Sequence, residues 1–146
     1  MFIRQATYDD LESLLKLYTH LHENPLPPMD EKLEKLWCTI IDSPTQLILI
    51  GIIDGVVISS CVLVITPNLT HQQRPYALIE NVITHPAYRT KGYASQILAY
   101  AKQLASQNKC YKIMLLTGAK QERTLDFCKK AGYNCNDKTA FIQWLE

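Results

Sequence analysis

No stretch of these 146 residues stays apolar for the roughly 20 positions that a membrane-spanning helix needs. The longest apolar runs, 47–53 and 56–65, are interrupted by Gly51, Asp54 and the Ser59-Ser60 pair, so no membrane partner is expected. Arg4, Asp9 and Asp10 come too early for a secretory leader, and a cytoplasmic protein is the expectation. A surplus of one sign of charge is missing too: 15 Lys and Arg face 14 Asp and Glu, a formal net charge of +1. That leaves no electrostatic footprint for nucleic acid or an acidic partner. The five cysteines (Cys38, Cys61, Cys110, Cys128, Cys135) are odd in number and include no Cys-x-x-Cys pair. They read as reduced, mostly buried thiols, neither a disulfide framework nor a zinc site. His20 and His22, two apart on a helix, point in different directions, so no metal is expected. Gly-x-Gly-x-x-Gly and Gly-x-x-x-x-Gly-Lys-Ser/Thr are both absent, which removes the dinucleotide fold and the nucleoside-triphosphate loop. Internal repeats, low-complexity tracts and linkers are absent as well.

What is present has the composition of an ordinary globular protein, 47% hydrophobic and 20% charged, in a length that suits a single domain over 1–146. Residues 2–6 alternate as a strand. Thr7-x-x-Asp10 then opens a helix with Leu11, Leu14, Leu15, Tyr18 and Leu21 on one face. Three prolines make 22–28 a loop, and Asp30 caps a second helix that carries Leu33, Leu36, Trp37, Ile40 and Ile41 as far as Ser43-Pro44. Residues 45–53 and 56–66 form a hairpin across Asp54-Gly55. A polar loop, 67–75, contains His71 and Arg74. Further on, 110–117 reads as a buried strand, 122–131 as a helix closed by Gly132, and 139–145 as a last strand.

The centre of the pattern is 80–101. The apolar run Ala77, Leu78, Ile79, Val82, Ile83 stops at His85-Pro86, and a helix with Ala94, Ile97, Leu98, Ala101, Leu104 and Ala105 follows a short basic turn. Arg89, Gly92 and Ala94 fall at the spacing Arg-x-x-Gly-x-Ala, so little side chain stands in front of the helix start. The unpaired N–H groups and positive dipole end there suit an anion, Gly92 permits positive φ, and Arg89 and Lys91 add charge. A phosphate or pyrophosphate is the expected ligand. The other reading is an ordinary strand-to-helix turn.

Arg89-Thr90-Lys91-Gly92-Tyr93-Ala94 resembles the pyrophosphate loop of the GNAT superfamily of acyl-CoA N-acyltransferases, Gln/Arg-x-x-Gly-x-Gly/Ala. With Ile79-Glu80-Asn81-Val82-Ile83 and Tyr88 before it, the segment looks closest to the glucosamine-6-phosphate N-acetyltransferase branch. The element order is similar along almost the whole chain, and 124–133 resembles the family's Phe-Tyr-x-x-x-Gly-Phe helix end. The resemblance implies an α/β (α+β) fold with a mixed, mostly antiparallel sheet of six to seven strands, splayed between two parallel central strands and covered by helices on both faces. It implies acetyl-CoA as co-substrate and direct transfer to a primary amine of a small molecule, with a homodimer plausible on the same ground. A non-catalytic acyl-CoA-binding module and a protein or peptide N-acetyltransferase are the alternatives.

The resemblance also implies roles. Main-chain groups of Arg89, Thr90, Lys91, Gly92, Tyr93, Ala94 and Ser95 would seat the pyrophosphate. Val82 and Thr84 would pair with the pantetheine arm, and an N–H of Val82 or Ile83 would polarise the thioester carbonyl. Glu80 is the candidate base toward the protonated amine, with an edge carboxylate or ion pair as the competing reading. Asn81 replaces the family's Asp and would face the acceptor, which puts glucosamine 6-phosphate itself in question. Cys128 stands where a tyrosine acid is common, and is read either as a thiol donor or as a small core residue. Thr124 and Phe127 would line the cofactor arm, Thr124 alternatively capping its helix. Lys129 and Lys130 suit the dipole at their helix end, with the adenosine phosphate as a weaker partner. The acceptor pocket is expected between loops 22–30 and 67–75, with His22 and Arg74 as its candidate contacts.

Overall fold

The computed structural model describes residues 1–21 and 25–145. Its strands are β1 (Phe2–Gln5), β2 (Gln46–Ile53), β3 (Val56–Thr66), β4 (Tyr76–Thr84) and β5 (Ile113–Leu115). Its helices are α1 (Leu11–Tyr18), α2 (Glu31–Ile41), a single turn α3 (Thr70–Gln73), α4 (Tyr93–Gln107) and α5 (Glu122–Lys130). The strands form one sheet in the order β1-β2-β3-β4-β5, antiparallel up to β4 and parallel between β4 and β5. The mixed α/β class is as expected. Asp54 (φ 49°) and Gly55 (φ 77°) are both left-handed, the conformation that a two-residue hairpin turn with the native strand twist requires.

Local chemistry starts the first helices. Asp10 is buried and closes a capping box with Thr7, while the Arg4 guanidinium grips both carboxylate oxygens at 2.6 and 2.8 Å. Those bonds from Arg4, with one from the Thr7 N–H, hold the Asp10 carboxyl down at about 2 against the cost of burying it. Asp30 caps α2 by accepting from the Leu33 N–H. The buried Trp37 donates its indole N–H to the Tyr8 carbonyl, which ties α2 to the turn before α1.

Each face of the sheet has its own core. On one face, Ile97, Leu98, Ala101 and Ala105 of α4 pack on Leu49, Cys61, Leu63, Ile65, Ala77 and Ile79, with Phe127, Ala131 and Tyr133 at the margin. On the other, Leu14 and Leu17 of α1 and Trp37 of α2 cover Ile48, Ile50, Val57, Val62 and Ile83. Burial of these side chains at about 25 cal/mol per Å² is the main force holding helices to sheet.

Three expectations need correction. The described residues form five strands, not six or seven, because 139–145 pairs with nothing; Phe141, Trp144 and Leu145 are 92%, 84% and 90% exposed. The strand expected over 110–117 is only three residues long, and from Leu116 onward the chain leaves the sheet. Helix α1 ends at Tyr18, although Leu21 still packs on the same core.

Candidate active site

Strand β4 carries an irregularity that its sequence conceals. Glu80 lies opposite Val62 and Ile83 opposite Ser60, so Asn81 and Val82 together face the single residue Cys61. This is a β-bulge, and Asn81 (φ 51°) takes the left-handed conformation that asparagine tolerates better than other side chains with a Cβ. The extra residue shifts the alternation. Glu80 lies before it, on the α1/α2 face by ordinary alternation with Val62, whereas Val82 joins Ala77 and Ile79 on the α4 face and Ile83 falls on the α1/α2 face. There Glu80 is exposed in mid-strand, where the helices leave the sheet uncovered.

Pairing between β4 and β5 stops at Ile79 opposite Leu115, so the bulge lies at the apex of a gap between the two parallel strands. The His85 N–H donates to the Ile58 carbonyl on β3. By strand alternation the main chain of Ile83 also faces β3, while Val82 and Thr84 face the gap. The Ile83 carbonyl accepts from the Ser59 hydroxyl, so of the two oxyanion-donor candidates Ile83 has its main chain on the β3 side and Val82 has its main chain on the gap side. Thr84 is held on two sides: its hydroxyl bonds Ser59 at 2.9 Å and its carbonyl accepts from Arg89 Nε at 3.0 Å. It braces the strand end, and Arg89 shapes the loop in doing so.

The loop follows immediately. His85 Nδ1 accepts from the Ala87 N–H to start a short turn, Pro86–Tyr88. Thr90 (φ 66°) and Gly92 (φ 79°) are then left-handed, and Gly92 is the N-cap of the 15-residue helix α4. No side chain caps this helix. The Gln96 N–H bonds the Gly92 carbonyl, which leaves the N–H groups of Tyr93, Ala94 and Ser95 without helical partners at the positive end of the dipole. A Cβ on Gly92 would meet no protein atom within 4 Å, so the space in front of these amides is open. Lys91 lies 5.5 Å above the Tyr88 ring at the rim. The gap and the uncapped amides thus fit an extended ligand ending in a pyrophosphate.

Helix α5 lies on the α4 face. Phe127 packs on that core, Thr124 and Cys128 are half-buried, and burial pushes the Cys128 thiol above its ordinary range. Tyr133, just past Gly132, is pushed up to about 12, first by burial and then by the sulfurs of Cys61 and Cys128. Tyr133 packs on the core cluster that includes Cys61, the residue opposite the bulge. No catalytic motif marks Tyr133, which follows the helix-closing Gly132, and only tertiary packing brings it here. On the other face, the hydroxyls of Tyr18 and Ser60 are buried beside each other, one row along the sheet from Glu80.

Arg74 is not in this group. Its guanidinium donates to the carbonyls of Lys109 and Cys110 at 3.2 Å, at the start of β4, a strand roughly 30 Å long at about 3.3 Å per residue. Loop 67–75 lines a hollow of about 580 Å³ at that remote end, so it does not wall the site. His22 lies outside the described residues. Nearer the site, a hollow of about 300 Å³ opens between α1 and the β2–β3 hairpin, with Lys16, His20 and His85 on its wall. Among the described residues no group of three or more potential metal ligands converges, and no helix is long and apolar enough to cross a membrane.

Comparison with known proteins agrees with this arrangement. The family model described as acetyltransferase (GNAT) family matches residues 11–133. A glucosamine 6-phosphate N-acetyltransferase of Trypanosoma brucei brucei is 25% identical over 145 residues, 93% of this chain and 90% of that relative. A solved structure from Agrobacterium tumefaciens str. C58, described as an acetyltransferase, superposes with a TM-score of 0.92 at 33% identity over 99% of this chain and 100% of the other. The aminoglycoside N-acetyltransferase AAC(6')-Iy, solved in complex with CoA, shares the fold with a TM-score of 0.76 at 18% identity and 99% coverage of both chains. The matched family model spans both the bulged strand and the uncapped helix, and the chain belongs to the acetyltransferase (GNAT) family.

Proposed function

We propose that this chain transfers the acetyl group of acetyl-CoA directly to the primary amine of a small molecule, in the cytoplasm. One observation carries the reading: within the continuous segment 80–95, a bulged strand at a sheet gap leads straight into a helix start whose first amides have no partner. The relative named for glucosamine 6-phosphate supports a small amine acceptor.

Acetyl-CoA supplies a thioester whose acyl carbon is open to attack by an amine. The amides of Tyr93, Ala94 and Ser95, with Gly92 clearing their approach, hold the pyrophosphate, and Lys91 adds charge at the rim. Val82 offers its main chain to the pantetheine arm along the gap, and its N–H polarises the thioester carbonyl. Thr124 and Phe127 flank the arm from α5.

Glu80 stands on the opposite face of the sheet, where an acceptor approaches without crossing the cofactor. An alkylamine with a pKa near ~10.4 arrives protonated, and Glu80 takes that proton through water, for which the neighbouring Tyr18 and Ser60 hydroxyls provide a polar wall. When the C–N bond forms and the C–S bond breaks, the leaving sulfur needs a proton. Cys128 and Tyr133 both have raised pKa values and hold their protons at neutral pH. Tyr133 is the better placed donor, since it packs on the core cluster that includes Cys61, opposite the bulge. Asn81 follows from the left-handed bulge, so its presence in place of Asp is no argument for a non-catalytic binding module.

The test is release of CoA thiol against a panel of amino sugars, polyamines, aminoglycosides and amino acids, run beside calorimetry with CoA. Turnover with one amine class is expected. Tight CoA binding with no turnover on any amine would make the chain a sensor, and no CoA binding would remove both readings.

A further inference from the structure

Two adjacent serines, Ser59 and Ser60, interrupt the apolar run of β3, and both are 0% exposed. A buried hydroxyl costs stability unless it is hydrogen-bonded, and Ser59 makes two bonds. It alternates with Cys61 and Leu63, which places it on the α4 face, directly opposite Thr84. Its one proton goes to the Ile83 carbonyl at 2.9 Å, so the Thr84 hydroxyl is the donor in the 2.9 Å bond between the two side chains. A single side chain on β3 thus clasps the last two residues of β4.

The clasp falls where β4 has least support. Among the described residues its pairing with β5 ends at Ile79, so past the bulge its main chain is paired from the β3 side alone. That end carries the loop. The Thr84 carbonyl, on the gap side, accepts from Arg89 Nε at 3.0 Å, and inside the turn the N–H groups of Tyr88 and Arg89 bond the carbonyls of His85 and Pro86. Thr90 and Gly92, both left-handed, then lead the chain into α4, whose start no side chain caps. The direction of the Thr84 carbonyl therefore sets where Arg89 stands, and with it where the amides of Tyr93, Ala94 and Ser95 are presented. Ser59 reaches those amides only through Thr84 and Arg89.

We propose that Ser59 is a positioning residue for the phosphate seat, fixing the loop through the Thr84 hydroxyl and the bond from Arg89 to the Thr84 carbonyl. The proposal rests on the reading that the phosphates of CoA dock on the first amides of α4. Ser59 acts on the hold on the cofactor and not on the reacting atoms. Its loss weakens ground state and transition state alike, which raises KM for acetyl-CoA and spares kcat.

Ser59→Ala, Arg89→Met and the double variant test this, by calorimetry with CoA and by steady-state kinetics. Ser59→Ala should weaken CoA binding about 3- to 10-fold and raise the KM for acetyl-CoA by the same factor, with kcat kept within about two-fold. In the Arg89→Met background the same serine substitution should change CoA affinity by less than about two-fold, because the link it works through is gone. Ile65→Val, at the far end of β3 on the same core, controls for stability: it should lower Tm and leave CoA affinity unchanged. Should Ser59→Ala fail to fold, Thr84→Val removes the same side-chain link from the other end and should give the same loss. Unchanged CoA affinity in Ser59→Ala, an undiminished loss in the Arg89→Met background, or an equal loss in Ile65→Val would each overturn the proposal while CoA binding by the unaltered protein, and with it the acetyltransferase reading, stands. No CoA binding by the unaltered protein would overturn both.

Discussion

Gly92→Ala isolates the anion seat. Gly92 has φ 79°, and a Cβ there meets no protein atom within 4 Å, so the substitution crowds nothing in the protein itself. Its stability cost is the left-handed backbone penalty, roughly 1–2 kcal/mol, or about 3–7 °C in Tm for a domain of this size. Gly132 gives the matched control, since it too is left-handed (φ 92°) with open space around a Cβ. The two variants should therefore melt alike. They should bind CoA differently, because only the Gly92 methyl stands where the phosphates approach the amides of Tyr93, Ala94 and Ser95. One charge-assisted hydrogen bond lost or lengthened is worth about 1.5–3 kcal/mol, so the affinity for CoA should fall about 10- to 150-fold in Gly92→Ala. It should stay within about two-fold in Gly132→Ala. Calorimetric titration with CoA and thermal melts of both variants measure this. Equal loss of CoA affinity in the two, or none in either, would refute the assignment of the phosphates to this loop.

Glu80→Gln should lower kcat by about 10²- to 10⁴-fold with CoA affinity unchanged, and the loss should shrink at alkaline pH where the amine is already neutral; steady-state kinetics across pH check it. Tyr133→Phe should reduce kcat more than Cys128→Ala, and a larger loss in the cysteine variant would reverse the choice of proton donor. Asn81→Gly should keep the bulge and the activity, whereas Asn81→Val, β-branched in a left-handed position, should cost about 1–2 kcal/mol and most of the turnover, read by melting and by thiol release. The Asp10 carboxyl, held at about 2 in the fold, adds about 2 kcal/mol of stability that is full above pH 4 and disappears as pH falls through about 2. Asp10→Asn should therefore lower Tm at pH 7 and flatten its dependence on pH below 4.

Much of this molecule was legible in one dimension because its determinants are local. Asp54-Gly55 needs only its own backbone freedom to turn the hairpin, Asp30 needs only the Leu33 amide three residues on, and Gly92 needs only the start of α4 to leave three amides open. Apolar periodicity placed α1, α2, α4 and the inner strands for the same reason: burial of one face repeats at the spacing of the element itself. What depended on pairing partners was hidden. The bulge at Asn81 exists only through the register with Cys61, and it decides that the side chain of Val82 joins the α4 face, that its main chain faces the gap and that Ile83 turns to the other core. Arg74 is drawn to carbonyls 35 and 36 residues along, and Tyr133 packs on a core that includes Cys61 of another strand, distances in sequence that no spacing rule reaches. Residues 139–145 have the composition of a strand, but a strand is a relation between two chain segments, and no described segment of this chain takes that second place.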